Sequence, residues 1–162
     1  MTKTGHQLTG LGAALAAVGL IGGLYPDQNL IMIALLAFFG SSAPDWLEIP
    51  QGWQGRKRLS VIPHRTWTHW WPVWLGSTLF GLGVLTATPH PFVLAFTLGA
   101  WLHLLMDIPN PMGLPLWHPE RRVSLYLWKS SEHVVPLALG SWGLGFLVLI
   151  LPGALQMAGL YL

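Results

Sequence analysis

The stretch "HRTWTHWW", His64 to Trp71, places two histidines and an arginine among three tryptophans at the mouth of a long apolar run. On one continuous helix His64 and His69 would point about 140° apart and diverge. They converge only if His64 sits in the loop after Pro63 and His69 in the first turn of the next helix, with Thr66 or Thr68 as a cap. The stretch then joins a polar loop to an apolar helix.

The chain around it is greasy. Of its 162 residues, 52% are hydrophobic and only 9% are charged, where a soluble domain carries about 25%. Mean hydropathy is +0.52, which places the chain in the membrane class and suits a single domain over residues 1–162. There is no cysteine, so disulfides and thiolate metal sites are excluded. A net charge of +2 is too weak and too localised for nucleic-acid binding. The N-terminal apolar run continues past "GLIGGL" with no evident cleavage site, unlike a secretory signal.

Five apolar segments predict an all-α, polytopic bundle of about five spans. They run from about Leu8 to Leu24, Leu30 to Ala43, Trp70 to Ala87, Phe92 to Ile108 and Val134 to Ile150. "YPDQN" at 25–29 and "TPHP" at 88–91 are tight turns. Pro152 and Gly153 are expected to break or kink the last segment before the tail "ALQMAGLYL". Two polar stretches, 44–69 and 109–133, remain as loops expected to carry short helices. All eight basic residues (Lys3, Arg56, Lys57, Arg58, Arg65, Arg121, Arg122 and Lys129) then fall on one side. The positive-inside rule puts that side, with the N-terminus, in the cytoplasm and the C-terminus outside.

The histidines and carboxylates obey the same division. His6, Asp45, Glu48, His64, His69, His103, Asp107, His118, Glu120, Glu132 and His133 share the basic side; Asp27 and His90 lie opposite. His103 and Asp107, four apart, face one way on a helix, and Asp45 and Glu48, three apart, are neighbours if helical. Such a nitrogen and oxygen set suits zinc, manganese or iron. Ionisable groups at a membrane edge are costly and point to function.

Plainer readings stand beside this one. His103 with Asp107 is also a satisfied buried pair, Asp45 and Glu48 also a span terminus, His69 an interfacial ring, and His6 a free terminal residue. His90 reads as turn surface, Arg56 to Arg58 as topology determinants facing headgroups, and the ten tryptophans largely as an interfacial belt. "GLIGG" and "GSWGLG" read as close helix packing through small residues. The common side and the mixture of imidazole and carboxylate raise the cluster above its parts. Other catalytic signatures are missing: there is no H-E-x-x-H and no G-x-S-x-G. "HLLMD" has the His-x-x-x-Asp spacing of membrane lipid phosphatases without their companion motifs.

"TGHQLTG", "SSAPDWLE", "HRTWTHWW", "HLLMDIPNPMGLPLWHP" and "SSEH" together resemble the YdjM-type family of predicted bacterial membrane-bound metal-dependent hydrolases. That family is distantly similar to zinc-dependent phospholipase C and related zinc nucleases, which are helical and hold a cluster of metals. The resemblance covers most of the chain. It implies His6, Asp45, His64, His69, His103 and Asp107 as metal ligands, with Glu132 a further candidate. One departure stands out: many members read P-D-x-D, whereas here Leu47 takes the second acidic position and Glu48 comes after it.

The function expected from these readings is a metal-dependent hydrolase, phospholipase- or phosphodiesterase-like, in a bacterial inner membrane. One to three divalent ions, zinc first, would lower the pKa of a water to near 7. Asp45 or Glu48 is the expected general base, and Arg65 the expected phosphate partner through its bidentate fork. Trp67, Trp117 and His118 are expected to line the place where a membrane lipid's phosphoester binds on the cytoplasmic face. The alternative is a non-enzymatic membrane protein with a structural metal that binds envelope or division machinery.

Overall fold

The computed structural model describes residues 3–55, 57–129 and 131–157. Arg56 and the end of the apolar tail, residues 158–162, lie outside the described residues, as do the side chains of Lys3, Lys57 and Arg58. Helix accounts for 64% and strand for 10%. Among the described residues, six helices run in the order α1 (Lys3–Leu24), α2 (Leu30–Gly40), α3 (Ala43–Trp46), α4 (Trp71–Ala87), α5 (Phe92–Asp107) and α6 (Val134–Met157). A 3-10 turn, Trp67–His69, precedes α4.

Local chemistry sets the helix ends. Asn29 accepts the Met32 amide at 3.0 Å and so starts α2 after the Pro26 turn. Pro72 opens α4, where a missing N–H costs nothing. Pro91 caps α5. The expected stop at Pro152 does not occur, because α6 runs through it to Met157. Neighbouring groups can re-satisfy the backbone that a proline frees in an apolar helix.

Among the described residues, two helices are long and apolar enough to cross a membrane, Thr4–Leu24 and Val134–Leu155; Leu30–Gly40, Trp71–Ala87 and Phe92–Asp107 are shorter apolar helices. At 11 residues, α2 is about 16 Å long, roughly half a hydrocarbon core of about 30 Å. Outward faces are apolar: Ile31 on α2, Phe80 on α4 and Leu144 and Leu147 on α6 are all more than half exposed.

Small residues let the helices meet. A Cβ on Gly99 of α5 would strike the Ala37 carbonyl of α2, and one on Gly145 of α6 would strike the Gly12 carbonyl of α1. Ser141 donates to the Thr9 carbonyl at 2.8 Å, and the Trp142 indole to that of Leu8 at 2.6 Å. The glycine-rich motifs of α1 and α6 thus pack as their composition predicts. One apolar core lies among α1, α2 and α5 around Ile33 and Ala95; a second, around Trp74 and Leu104, lies where α4 and α5 approach Leu114.

The polar loops differ from expectation. Short helical pieces occur only in the first, as α3 and the 3-10 turn. Both loops are built mainly from antiparallel hairpins: β1 (Pro50–Gln54) with β2 (Lys57–Ser60), and β3 (Leu114–His118) with β4 (Arg121–Val123). Pro50, Gly52 and Gly55 are poor helix formers, and both glycines take positive φ. Gly113, at φ +60°, leads into β3 so close to the Val123 carbonyl that a Cβ would collide with it.

Candidate metal centre

Four segments bring the cluster together. His6 comes from the first turns of α1, Asp45 from α3, and His103 and Asp107 from the last turns of α5. Glu48, His64 and His69 come from the loop that ends in the 3-10 turn. The "HRTWTHWW" stretch folds as its spacing requires, with His64 in the turn after Pro63 and His69 at the foot of α4. Their ring centroids lie 5.4 Å apart. The expected threonine cap does not form: neither side chain caps the 3-10 turn. Thr66 instead donates to the Pro63 carbonyl at 2.6 Å, and Thr68 lies 3.1 Å from His69 Nδ1.

Arg65 makes the chain reversal between the histidines. Its φ is +57°, and that of Ile49, beside Glu48, is +53°. Left-handed backbone at non-glycine residues costs about 1–2 kcal/mol each, and such strain collects at functional sites. The Arg65 turn carries its own amide to Glu48 Oε1 at 3.0 Å, while His64 Nδ1 reaches both Glu48 oxygens at 2.8 Å.

Donor atoms converge on the interior. His69 Nε2 and His103 Nε2 face each other at 3.2 Å. His103 Nδ1 lies 2.8 Å from the Ser41 carbonyl, which can only accept, so Nδ1 carries the proton and Nε2 turns a lone pair inward. Asp107 Oδ2 is 3.6 Å from His103 Nε2 and 3.8 Å from His69 Nε2, and Asp45 Oδ1 is 3.5 Å from His69 Nε2. His6 stacks on His103 with centroids 3.6 Å apart, and its Nδ1 is buried without a hydrogen-bond partner among the described residues.

Three overlapping sets have ligand atoms within 4.8 Å of one another: Asp45, Glu48, His64 and His69; His6, Asp45 and His103; and His69, His103 and Asp107. Opposed imidazole lone pairs, an orphaned buried nitrogen and several carboxylates in one place fit a divalent cation. These buried His/Asp/Glu groups can hold a metal ion.

The electrostatics outside the helical core come from hydrogen bonds overriding burial. Burial works against an ionised Glu48, but bonds from His64, His69 and the Arg65 amide hold it down to about 2. Burial also works against an ionised Asp45, but its bond with His69 and the nearby imidazoles of His103 and His6 together hold it well below the usual carboxylate range. Burial would lower the His69 pKa, yet Asp45 and Glu48 raise it.

Arg65 departs from its expected role. It is 3% exposed. One Nη bonds Asp107 Oδ2 at 2.7 Å and the other donates to the Gly113 carbonyl at 2.9 Å. Asn110 donates to the other Asp107 oxygen at 2.9 Å. The fork thus braces a cluster carboxylate instead of facing an incoming phosphate.

Glu132 is not brought in. It is exposed and pairs with Lys129 at 3.1 Å, since α6 docks on α1 through Ser141 and Trp142 and contributes nothing to the cluster. Trp67 is 54% exposed, and Trp117 and His118 lie on the outside of the second hairpin. Leu47 faces outward while Glu48 is fully buried, so Glu48 occupies the cluster in this chain. Three of the tryptophans also have a role inside the fold. The Trp70 and Trp71 indoles both donate to the Leu116 carbonyl, at 3.1 and 2.9 Å, and that of Trp74 to Thr68 at 2.7 Å. They tie β3 and the histidine turn to α4. Sequence reading missed three residues at the site: Ser41, whose carbonyl fixes His103, Asn110, which holds Asp107, and Arg122, which donates to the His64 carbonyl at 2.6 Å.

The family model described as YdjM inner membrane protein matches residues 1–160. No curated protein and no solved structure matches the chain.

Proposed function

The chain belongs to the YdjM inner membrane protein family, and on that premise we propose that it is a membrane-embedded hydrolase that uses zinc to cleave a phosphoester of a lipid at the cytoplasmic face. The observation that carries this reading is the uneven burial of the cluster. The side chains of His6, Glu48, His69, His103 and Asp107 are at most 2% exposed, but those of Asp45 and His64 are 22% and 30% exposed. Structural metal sites are closed by protein on every side, whereas catalytic sites keep an open position.

His69, His103 and Asp107 would hold the inner part of the centre, and Asp45 and His64 its open edge. A divalent metal there supplies Lewis acidity, polarising a phosphoryl oxygen and lowering the pKa of a water. Asp45 lies at the opening and is the residue to take a proton from the attacking water. Glu48 orients His64 and His69 from below. Arg65 and Asn110 fix the Asp107 carboxylate.

In the membrane, the reading is a five-helix bundle with the short α2 as its second crossing and all basic residues on the cytoplasmic side. Since the chain has no native cysteine, single cysteines at Asp27, His90 and Trp53 report sidedness cleanly. Labelling of Trp53→Cys only from outside overturns both the topology and the cytoplasmic site.

The second reading, a structural metal that pins helix ends, draws on the deep burial of five cluster residues. The experiment that separates them is turnover. Zinc-loaded protein in bilayers is supplied with phospholipids and with polyprenyl phosphate lipids, with Asp45→Asn as blank. Release of headgroup or phosphate by the wild type alone supports the hydrolase. No turnover on the panel, with a coordination sphere filled wholly by protein atoms, supports the structural metal.

A further inference from the structure

We infer that Arg122, on β4, receives the phosphate of the substrate at the opening of the cluster. The inference rests on the phosphoester reading and adds the residue that recognises the anion.

The opening is defined by exposure. Only Asp45 and His64 reach solvent from the cluster, so a ligand must arrive past them. Arg122 stands at that edge: its Nη2 bonds the backbone carbonyl of His64, a residue 58 positions away in sequence. The bond ties the second hairpin to the histidine turn and fixes the guanidinium beside the opening.

Among the described residues, the other cations of this end are paired or face elsewhere. Arg65 is buried, with both Nη atoms engaged, and turning it outward would strip Asp107 of its partner. Lys129 pairs with Glu132. Arg121 borders a shallow depression with Trp117, His118 and Glu120 on the outer side of the hairpin. Arg122 is exposed, and among the described residues its guanidinium donates to the His64 carbonyl through one Nη. A guanidinium carries several N–H donors in a planar fork that matches two phosphate oxygens. Because Asp107 neutralises Arg65, Arg122 is, among the described residues, the cation that contacts the His64 turn with its charge still available to an anion. The ligand class is a phosphate group, carried by a lipid headgroup or free in solution.

The test is binding to zinc-loaded, detergent-solubilised protein, read by calorimetry, with inorganic phosphate in one arm and short-chain phosphatidic acid in the other. Arg122→Gln should weaken both by about tenfold or more while metal content and melting temperature match the wild type. Arg122→Lys should recover only part of the loss, because an ammonium cannot make the fork. Tighter binding of phosphatidic acid than of inorganic phosphate assigns the lipid headgroup; equal binding assigns the free ion. Wild-type affinity in Arg122→Gln overturns the inference and leaves the phosphoester reading standing. Metal loss or early melting in Arg122→Gln also overturns it, since Arg122 would then be a brace for His64. No binding of either ligand by the wild type overturns the phosphoester reading and this inference with it.

Discussion

At one end of the bundle His90 is an exposed ring, stacked on Phe92 at 5.7 Å and 3.3 Å from the Gln28 side chain. At the other end His103 is buried, fixed by the Ser41 carbonyl, stacked on His6 and faced by His69. Both are histidines at a helix end. The first sits in water, where its partner is replaceable. The second sits in a network where each group has given up its hydration for a particular neighbour, so removing one leaves others stranded. The proposed metal chemistry at the second end, and the tolerance to substitution expected at the first, both rest on that difference in solvation.

The sharpest way to break the contrast is Asp107→Ala. It leaves the Arg65 guanidinium buried without its carboxylate, a loss of about 3–5 kcal/mol. His90→Ala should stay within about 0.5 kcal/mol of the wild type. Thermal unfolding in detergent compares the two, and equal melting temperatures would mean that the two ends are not energetically different.

Metal binding tests the same contrast from the other direction. Zinc at a hundredfold excess over its Kd should stabilise the wild type by about 2.7 kcal/mol, and a chelator should reverse it. His69→Ala and His103→Ala should lose both the bound zinc and the stabilisation, whereas His90→Ala keeps them. Full zinc retention in both inner variants would show that the clustered nitrogens do not form a metal centre.

Legibility in the sequence tracked the same divide. The pairing of His103 with Asp107 is periodic and local, and the His64 to His69 turn comes from a spacing that no straight helix satisfies. Helix ends at Asn29, Pro72 and Pro91 come from capping and proline chemistry. The hairpins were hidden because their strands are short and their registers shift at Gly52 and between Pro115 and His118, which destroys the period-two signal. The inward turn of Arg65 was hidden because its partner, Asp107, is distant in sequence, and only the folded chain shows that the fork is taken. Glu132 was a candidate only through the family resemblance that "SSEH" helps to carry. The packing of α6 on α1 decides otherwise.

Acidity should separate the metal-free and metal-bound proteins. In the metal-free protein His69 has a raised pKa, so its contribution is complete below its ordinary value of 6.5 and is lost as pH rises through the raised value. Asp45 and Glu48 have depressed pKa values, so theirs is present above their ordinary 3.8 and 4.5 and is lost as pH falls through the depressed ones. The stabilising contribution of His69 in the metal-free protein should therefore be complete below pH 6.5 and fall as pH rises through its raised value. Zinc requires neutral imidazoles and ionised carboxylates, so the zinc-bound protein should gain stability over that same rise. The melting-temperature gap between wild type and His69→Ala, followed as pH rises from 6.5, should shrink without zinc and widen with it; parallel slopes would remove His69 from the centre.

The smallest effect belongs to the solvated end and is local by construction. Asn29 accepts the Met32 amide at 3.0 Å and caps α2 in an exposed turn. Asn29→Ala removes one cap, for about 1 kcal/mol, and strands no charge. The same helix leads at its far end, through Ser41, to the carbonyl that fixes His103. If the two ends are independent, Asn29→Ala lowers the melting temperature of metal-free and zinc-loaded protein by the same amount and leaves zinc affinity unchanged. If fraying at the start of α2 reaches Ser41, zinc affinity falls with stability. The cap variant thus measures whether α2 isolates the metal centre from the opposite turns or couples it to them, and the close contact of α2 with Gly99 of α5 argues for isolation.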